Sequence, residues 1–213
     1  LSPSSAASDV YKRQGIYHIM RLGESKIWST MIFHGGLSLY RKSYLKHFED
    51  RPNYPDDTGT AIRLIKEGYR CIYISEAKFA SVAPPSFKDK IKLKSRRGQH
   101  LINALTEALK HKIKGEFPLP AHIVLANYYM HIISPIIQIT MPALLIISLL
   151  KNMALVSFML ITMILVILML KRNIRALIEL YVTSTVALTI ALVRTITGKK
   201  SITWEKIESM REA

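Results

Sequence analysis

Apolar and polar positions follow two regimes along this chain. In the first 120 residues short apolar runs alternate with polar breaks, and beyond them lie long uncharged apolar stretches. Residues 29–33 read as a strand entering His34-Gly35-Gly36, a turn or close-approach segment. Residues 37–40 alternate as a strand does, 41–48 suit a short helix, and 50–55 form a loop with two prolines. A helix is then expected, with Asp56 or Asp57 as N-cap. Ala61, Ile62, Leu64 and Ile65 supply its apolar stripe, and Gly68 its left-handed stop. Residues 69–74 read as a strand. A helix followed directly by a strand, without a tight hairpin, points to an α/β layer architecture.

Pro84-Pro85 marks a break, and Ser86-Phe87-Lys88-Asp89 has the form of a capping box, so a helix is expected near Phe87. A second helical pattern carries Leu101, Leu105 and Leu109, with Lys110, Lys112 and Lys114 at its C-terminal end, where positive charge suits the helix dipole. Residues 115–120 are a linker. Residues 122–150 are apolar, and about 20 residues suffice for one span. An interfacial helix with Tyr128, Tyr129 and His131, leading into one span, is expected there. Residues 153–170 form a cleaner span, and 176–193 a third candidate containing Glu179. Basic clusters follow both of the last two stretches, so the third is re-entrant or interfacial, or the tail is exported.

Charge sharpens this division. The chain has 30 Lys and Arg against 15 Asp and Glu, a formal net charge of +15. Yet residues 121–170 hold no acid, and Lys151 is their only charged residue. Such a basic balance fits nucleic acid or an anionic membrane face; the apolar stretches favour lipid and anionic phosphates and argue against nucleic acid. The single cysteine, Cys71, excludes an intrachain disulfide and is read as a small core residue. The expected organisation is therefore a sequencing-adaptor or cloning scar at 1–14, a soluble unit at 15–120, a membrane region of two or three helices at 121–198, and a basic polar tail at 199–213.

Three elements carry a resemblance. The run His34-Gly35-Gly36-Leu37-Ser38-Leu39-Tyr40-Arg41 resembles the serine-glycine-proline-leucine element of the membrane-bound family 2 glycosyltransferases that make hyaluronan, chitin and cellulose. Asp56-Asp57-Thr58 is similar to their paired-acid motif, and Lys94-Ser95-Arg96-Arg97-Gly98 stands where they carry glutamine-x-x-arginine-tryptophan. Membrane helices follow, as in that family. The resemblance implies the C-terminal part of a GT-A-like, Rossmann-like α/β domain. The implied reaction is inverting transfer from a nucleotide sugar to a saccharide or lipid-linked acceptor, at the cytoplasmic face of the plasma membrane.

Under that resemblance Asp57 is the general base, with Asp56 as its neighbour. Arg97, with Arg96 and Lys94, meets the departing diphosphate, and His34, Gly35 and Gly36 line the acceptor entrance. A divalent cation, Mg or Mn, is also implied, but its usual Asp-x-Asp ligands are absent from this sequence and no metal ligands are assigned. The chain alone is therefore expected to be inactive. Lys94 and Gly98 replace the family's glutamine and tryptophan, so a transferase that adds one or a few sugars fits as well as a processive one. Two plainer readings stand beside these: the acids as helix caps, and the basic run as a face on anionic lipid. Together they describe a non-catalytic membrane protein whose basic domain binds lipid or a partner.

Overall fold

The computed structural model describes residues 17–33, 36–77, 86–149, 156–163 and 172–199. The expected scar at 1–14, the tail beyond Lys199, His34, Gly35, and most of the second apolar stretch lie outside the described residues. Helices α1 (17–27), α2 (Asp56–Lys66) and α3 (Phe87–Ile113) form the polar half. Helix α4 (Ala121–Tyr128) runs through a π-turn (Tyr129–Ile133) into α5 (Ser134–Leu149). A helical stretch α6 (156–163) and α7 (Arg172–Ile196) follow.

Helix α2 ends as its sequence dictates. Gly68 takes φ +90°, and Tyr69 N donates to Leu64 O at 2.9 Å, closing a left-handed stop. Ser86 caps α3 by accepting from Asp89 N at 3.0 Å. The two helical patterns expected after Ser86 are one helix of 27 residues, roughly 40 Å long.

The expected strands do not form: no strand occurs among the described residues. Residues 29–33 and 69–74 are extended and adjacent, but only one backbone hydrogen bond, Thr30 N to Cys71 O at 2.8 Å, joins them. Ser side chains replace the rest of a ladder. Ser29 Oγ donates to Cys71 O and accepts from Cys71 N, and Tyr73 N donates to Ser25 Oγ at 2.7 Å. The short helix expected over 41–48 is a single turn, with Tyr44 N and Leu45 N both donating to Arg41 O.

The core gathers Met31, the inner face of α2 (Ala61, Ile62, Leu64, Ile65), Cys71, the inner face of α3 (Ile102, Ala104, Leu105, Ala108), and Phe117, Leu119, Ile123 and Val124. Burying one such Leu or Ile side chain contributes about 1.5–3 kcal/mol. Helix α7 joins this core through Ala191 and Leu192 and packs along α3. The packing is close because Gly98 has no side chain: a Cβ there would lie 3.2 Å from both Ala191 Cβ and Leu188 Cδ2.

The helix Ala121–Ser148 is long and apolar enough to cross a membrane. Its first part is not purely interfacial, because Ile123, Val124, Asn127 and His131 are buried against the rest of the protein. That inward stripe continues to Pro135 at fourfold spacing. Such spacing drifts by about 40° per step on an α-helix, and the wider π-turn offsets the drift.

Candidate active site

The paired acids are not the N-cap of α2. Pro55 holds that position in extended geometry, and its carbonyl accepts from Gly59 N at 2.8 Å. Proline has no side-chain acceptor, so the carboxylates serve the first free amides instead. Asp56 Oδ1 accepts from Asp57 N at 2.9 Å, and Asp57 Oδ1 from Thr58 N at 2.5 Å. Negative charge in a first turn also suits the helix dipole.

The two acids differ in their surroundings. Asp56 is exposed and Asp57 half-buried. Burial pushes the Asp57 carboxyl above the ordinary carboxylate range; the Thr58 amide opposes this, and the charge of Asp56 adds to it. A carboxylate held above its usual pKa is a stronger proton acceptor than an ordinary one.

The start of α2 is docked onto both sides of the glycine segment. Phe33 N donates to Thr58 Oγ1 at 3.2 Å, and the Tyr40 hydroxyl donates to Asp57 O at 3.3 Å. Tyr40 lies between Phe33 and Phe48, with ring centroids 6.0 and 5.5 Å away. Burial pushes its hydroxyl up to about 12, with the charges of Asp57 and Asp56 acting the same way. The sequence-derived base and the flanks of the sequence-derived acceptor segment are thus brought together. Gly36 is exposed.

From the other side the loop before α2 packs on its first turn. Gly59 permits this: a Cβ there would lie 2.6 Å from Glu49 Cγ and from the Tyr54 ring. Asn53, at φ +64°, accepts through its carbonyl from Asn103 Nδ2 at 2.9 Å, and Arg51 bridges Glu49 and Glu107 at 2.8 Å each. Helix α3 therefore braces the loop that enters α2.

The basic run lies on the N-terminal half of that same α3. Arg97 is exposed and Arg96 half-buried. Arg97 precedes Asn103 by six residues, about 9 Å along the helix axis. Lys94, one turn before Arg97, reaches across to α7: its Nζ donates to Thr183 Oγ1 at 2.6 Å and Ser184 Oγ at 3.4 Å. A cleft on another face of α2, lined by His47, Glu49, Arg51, Arg63, Lys66, Glu107 and His111, has its cations paired. Arg63 donates to His47 O, and Lys66 lies 3.2 Å from Glu116.

Sequence reading missed one buried polar group altogether. Arg21, Glu24 and Thr30 meet Asn127 of α4 inside the protein. The one available signal was a polar pair, Asn127 and His131, at helical spacing within an uncharged stretch.

Among the described residues no group of three His, Cys, Asp or Glu side chains is placed to hold a metal ion. Asp56 and Asp57 already accept backbone amides and have no third acid beside them. The donor set here does not fit the divalent cation that the sequence resemblance implies.

The described flanks of the glycine segment, Phe33 and Tyr40, are thus bonded to the start of α2, and the arginine pair lies on the helix that braces the loop before it. The family profile described as glycosyl transferase family group 2 matches residues 10–171. The chain belongs to that family, and its class is that of the glycosyltransferases. Among solved structures it is similar to the mannosyltransferase PcManGT from Pyrobaculum calidifontis, in complex with GDP-Man and Mn2+. The TM-score is 0.68 and the identity 24%, over 86% of this chain and 51% of that one. This likeness shows the GT-A-like fold alone, and the chain spans about half the length of that structure. No curated protein matches.

Proposed function

We propose that this chain carries the acceptor-activating part of an inverting glycosyltransferase working at a membrane surface. The observation that supports it best is the half-buried Asp57, its carboxyl raised by burial, at a helix start bonded to both flanks of the glycine segment. In this reading Asp57 takes the proton of the acceptor hydroxyl as that oxygen bonds the anomeric carbon. The bond from that carbon to the donor phosphate breaks, and the nucleoside diphosphate leaves with the electron pair. Arg97, supported by Arg96, meets the departing charge with its planar fork, while Lys94 holds α7.

The donor is a nucleotide sugar, the class that the similar mannosyltransferase binds as GDP-Man. The acceptor is a saccharide or lipid-linked sugar carrier brought to the site by the apolar helices. Transfer of one or a few sugars is favoured over processive synthesis. Supporting this, a Cβ at Gly98, where the polymerising enzymes carry a tryptophan, would already lie 3.2 Å from Ala191 Cβ and Leu188 Cδ2. A protein that only binds lipid would need the basic run but has no use for a sheltered carboxylate at Asp57.

The test is made on the full-length enzyme in its membrane fraction, with a panel of nucleotide sugars. Asp57→Asn should abolish transfer while donor binding persists. Wild-type transfer by that variant would place the base elsewhere.

A further inference from the structure

Buried charge marks the contact between α1 and the apolar helix. Arg21 is 1% exposed, Glu24 8% and Asn127 0%. Arg21 Nη1 donates to Glu24 Oε2 at 2.7 Å, and Arg21 Nη2 donates to Asn127 Oδ1 at 2.8 Å. Asn127 Nδ2 donates to Glu24 Oε1 at 2.7 Å and to Ile123 O at 2.9 Å. Both ends of the amide are thus used, each on a different charge, which fixes the amide orientation and the register of α4 on α1. His131, one turn on, places Nδ1 2.9 Å from Asn127 O, so that nitrogen carries the proton.

A buried ion pair is seldom retained for stability, since apolar groups of similar shape usually serve as well. Its geometry here leads elsewhere. Glu24 Oε2 also accepts from Thr30 Oγ1 at 2.7 Å. Thr30 opens the extended segment whose last described residue, Phe33, donates its amide to Thr58 Oγ1. Thr58 N in turn donates to Asp57 Oδ1. A bonded path therefore runs from the apolar helix to the carboxylate, crossing over 103 positions of sequence at its first step and 25 at its third.

We infer that Arg21, Glu24, Thr30 and Asn127 form a positioning latch that sets the Asp57 carboxylate from the membrane-side helix. The inference rests on the general-base reading of Asp57. None of the four touches the reacting atoms. They act by holding the segment that docks on the first turn of α2, and small misplacements of a reacting group lower turnover steeply.

The test uses the full-length enzyme in its native membrane, assayed per mole of folded protein. Thr30→Val keeps the shape and removes the hydroxyl that donates to Glu24 and accepts from Arg21. It should lower kcat by about ten- to a hundredfold, with the donor KM and the thermal midpoint nearly unchanged, and Thr30→Ser should restore kcat. Asn127→Leu should give a similar loss. The double variant Thr30→Val/Asn127→Leu should be little worse than either single one, because both cut the same path. Wild-type kcat in Thr30→Val, or losses at the two sites that multiply, would overturn the latch, as would a fall confined to the amount of folded protein. Asp57→Asn, run alongside, separates the two readings. An inactive Asp57→Asn with a fully active Thr30→Val removes the latch alone. A fully active Asp57→Asn removes the base and the latch with it.

Discussion

At the scale of single residues, the two acids at the start of α2 look equivalent in sequence and are not equivalent in the structure. Asp57 is sheltered and its carboxyl raised; Asp56 is exposed. Under the proposed mechanism, replacing Asp57 by Asn keeps the volume and removes the base, so turnover should fall by about 10²–10⁴-fold, read from initial rates at saturating donor. The pH dependence has a definite sign. The base works ionised, so kcat/KM should fall with acidification through the raised Asp57 pKa, above the ordinary aspartate value of about 3.9. Stability runs the other way. A carboxyl raised on folding contributes stability below the unfolded pKa, and that contribution is lost as pH rises through the folded one. Asp57→Asn should therefore not destabilise the protein at neutral pH, and a clear drop in its thermal midpoint there would mean the carboxylate is a structural cap. Among the basic residues, Arg97→Ala should lower turnover with α7 still docked, whereas Lys94→Met should loosen α7 through loss of its bonds to Thr183 and Ser184. Accelerated proteolysis of α7 would report the second effect; equal effects of both variants on turnover would sink the distinction. The placement of the acids in the first turn of α2 was legible because they stand together just before a helical stripe. Arg21, Glu24, Thr30 and Asn127 were not, because their meeting depends on tertiary contact between positions 103 apart.

At the scale of elements, α2 and the capped start of α3 were readable, since a stripe, a glycine stop and a capping serine are all local signals. The extended segments were read as strands because alternation is also local. Whether a strand forms depends on a neighbour to complete the ladder, and between residues 29–33 and 69–74 serine hydroxyls take that part. Two glycines show the opposite case, where an unremarkable letter decides the packing. At Gly59 a Cβ meets the Tyr54 ring at 2.6 Å. Gly59→Ala gains about 1 kcal/mol of helix propensity, but overpacking at such a contact costs about 1–3 kcal/mol. The expected net result is a lower thermal midpoint and a displaced loop ahead of Asp57, hence weaker transfer. A higher midpoint with full activity would show that the loop yields freely. Gly98→Trp should push α7 away from α3, because Ala191 and Leu188 already stand 3.2 Å from the position of a Cβ. Increased proteolysis of α7 is the readout, and unchanged protection would mean the helices separate without cost.

At the scale of the whole molecule, the apolar surface is concentrated on one part. Along α5 nearly every large side chain is exposed, Met141, Leu144, Leu145, Ile146 and Ile147 among them, and Phe158, Leu160 and Ile161 of α6 are exposed too. A soluble monomer rarely shows so continuous an apolar face. Helix α5 has 16 residues, about 24 Å, somewhat less than the hydrocarbon core of about 30 Å. The outward side of α4 supplies the remainder through Leu125, Tyr129 and Ile133, while its inward side stays with Asn127 and the core. The outer stripe of this helix is thus apolar and exposed, while its inner one packs on protein. Helix α7 is constrained differently, because its Thr183, Ala187 and Ala191 are buried and it follows the charged α3. The chain should accordingly stay in the membrane fraction after alkaline carbonate washing and after high salt, which strips proteins held only by basic patches. Depth can be probed along the same helix. Leu144→Arg places a charge on the exposed middle of α5, at about 2.5–3.5 kcal/mol on insertion scales, and should shift the protein out of the bilayer or lower its yield there. Leu125→Arg, on the outer side of the partly buried α4, should do much less, because a long side chain near a span's end reaches the interface. Release of the unmodified chain by carbonate, or equal tolerance of arginine at both positions, would show that the apolar face is covered by protein rather than lipid.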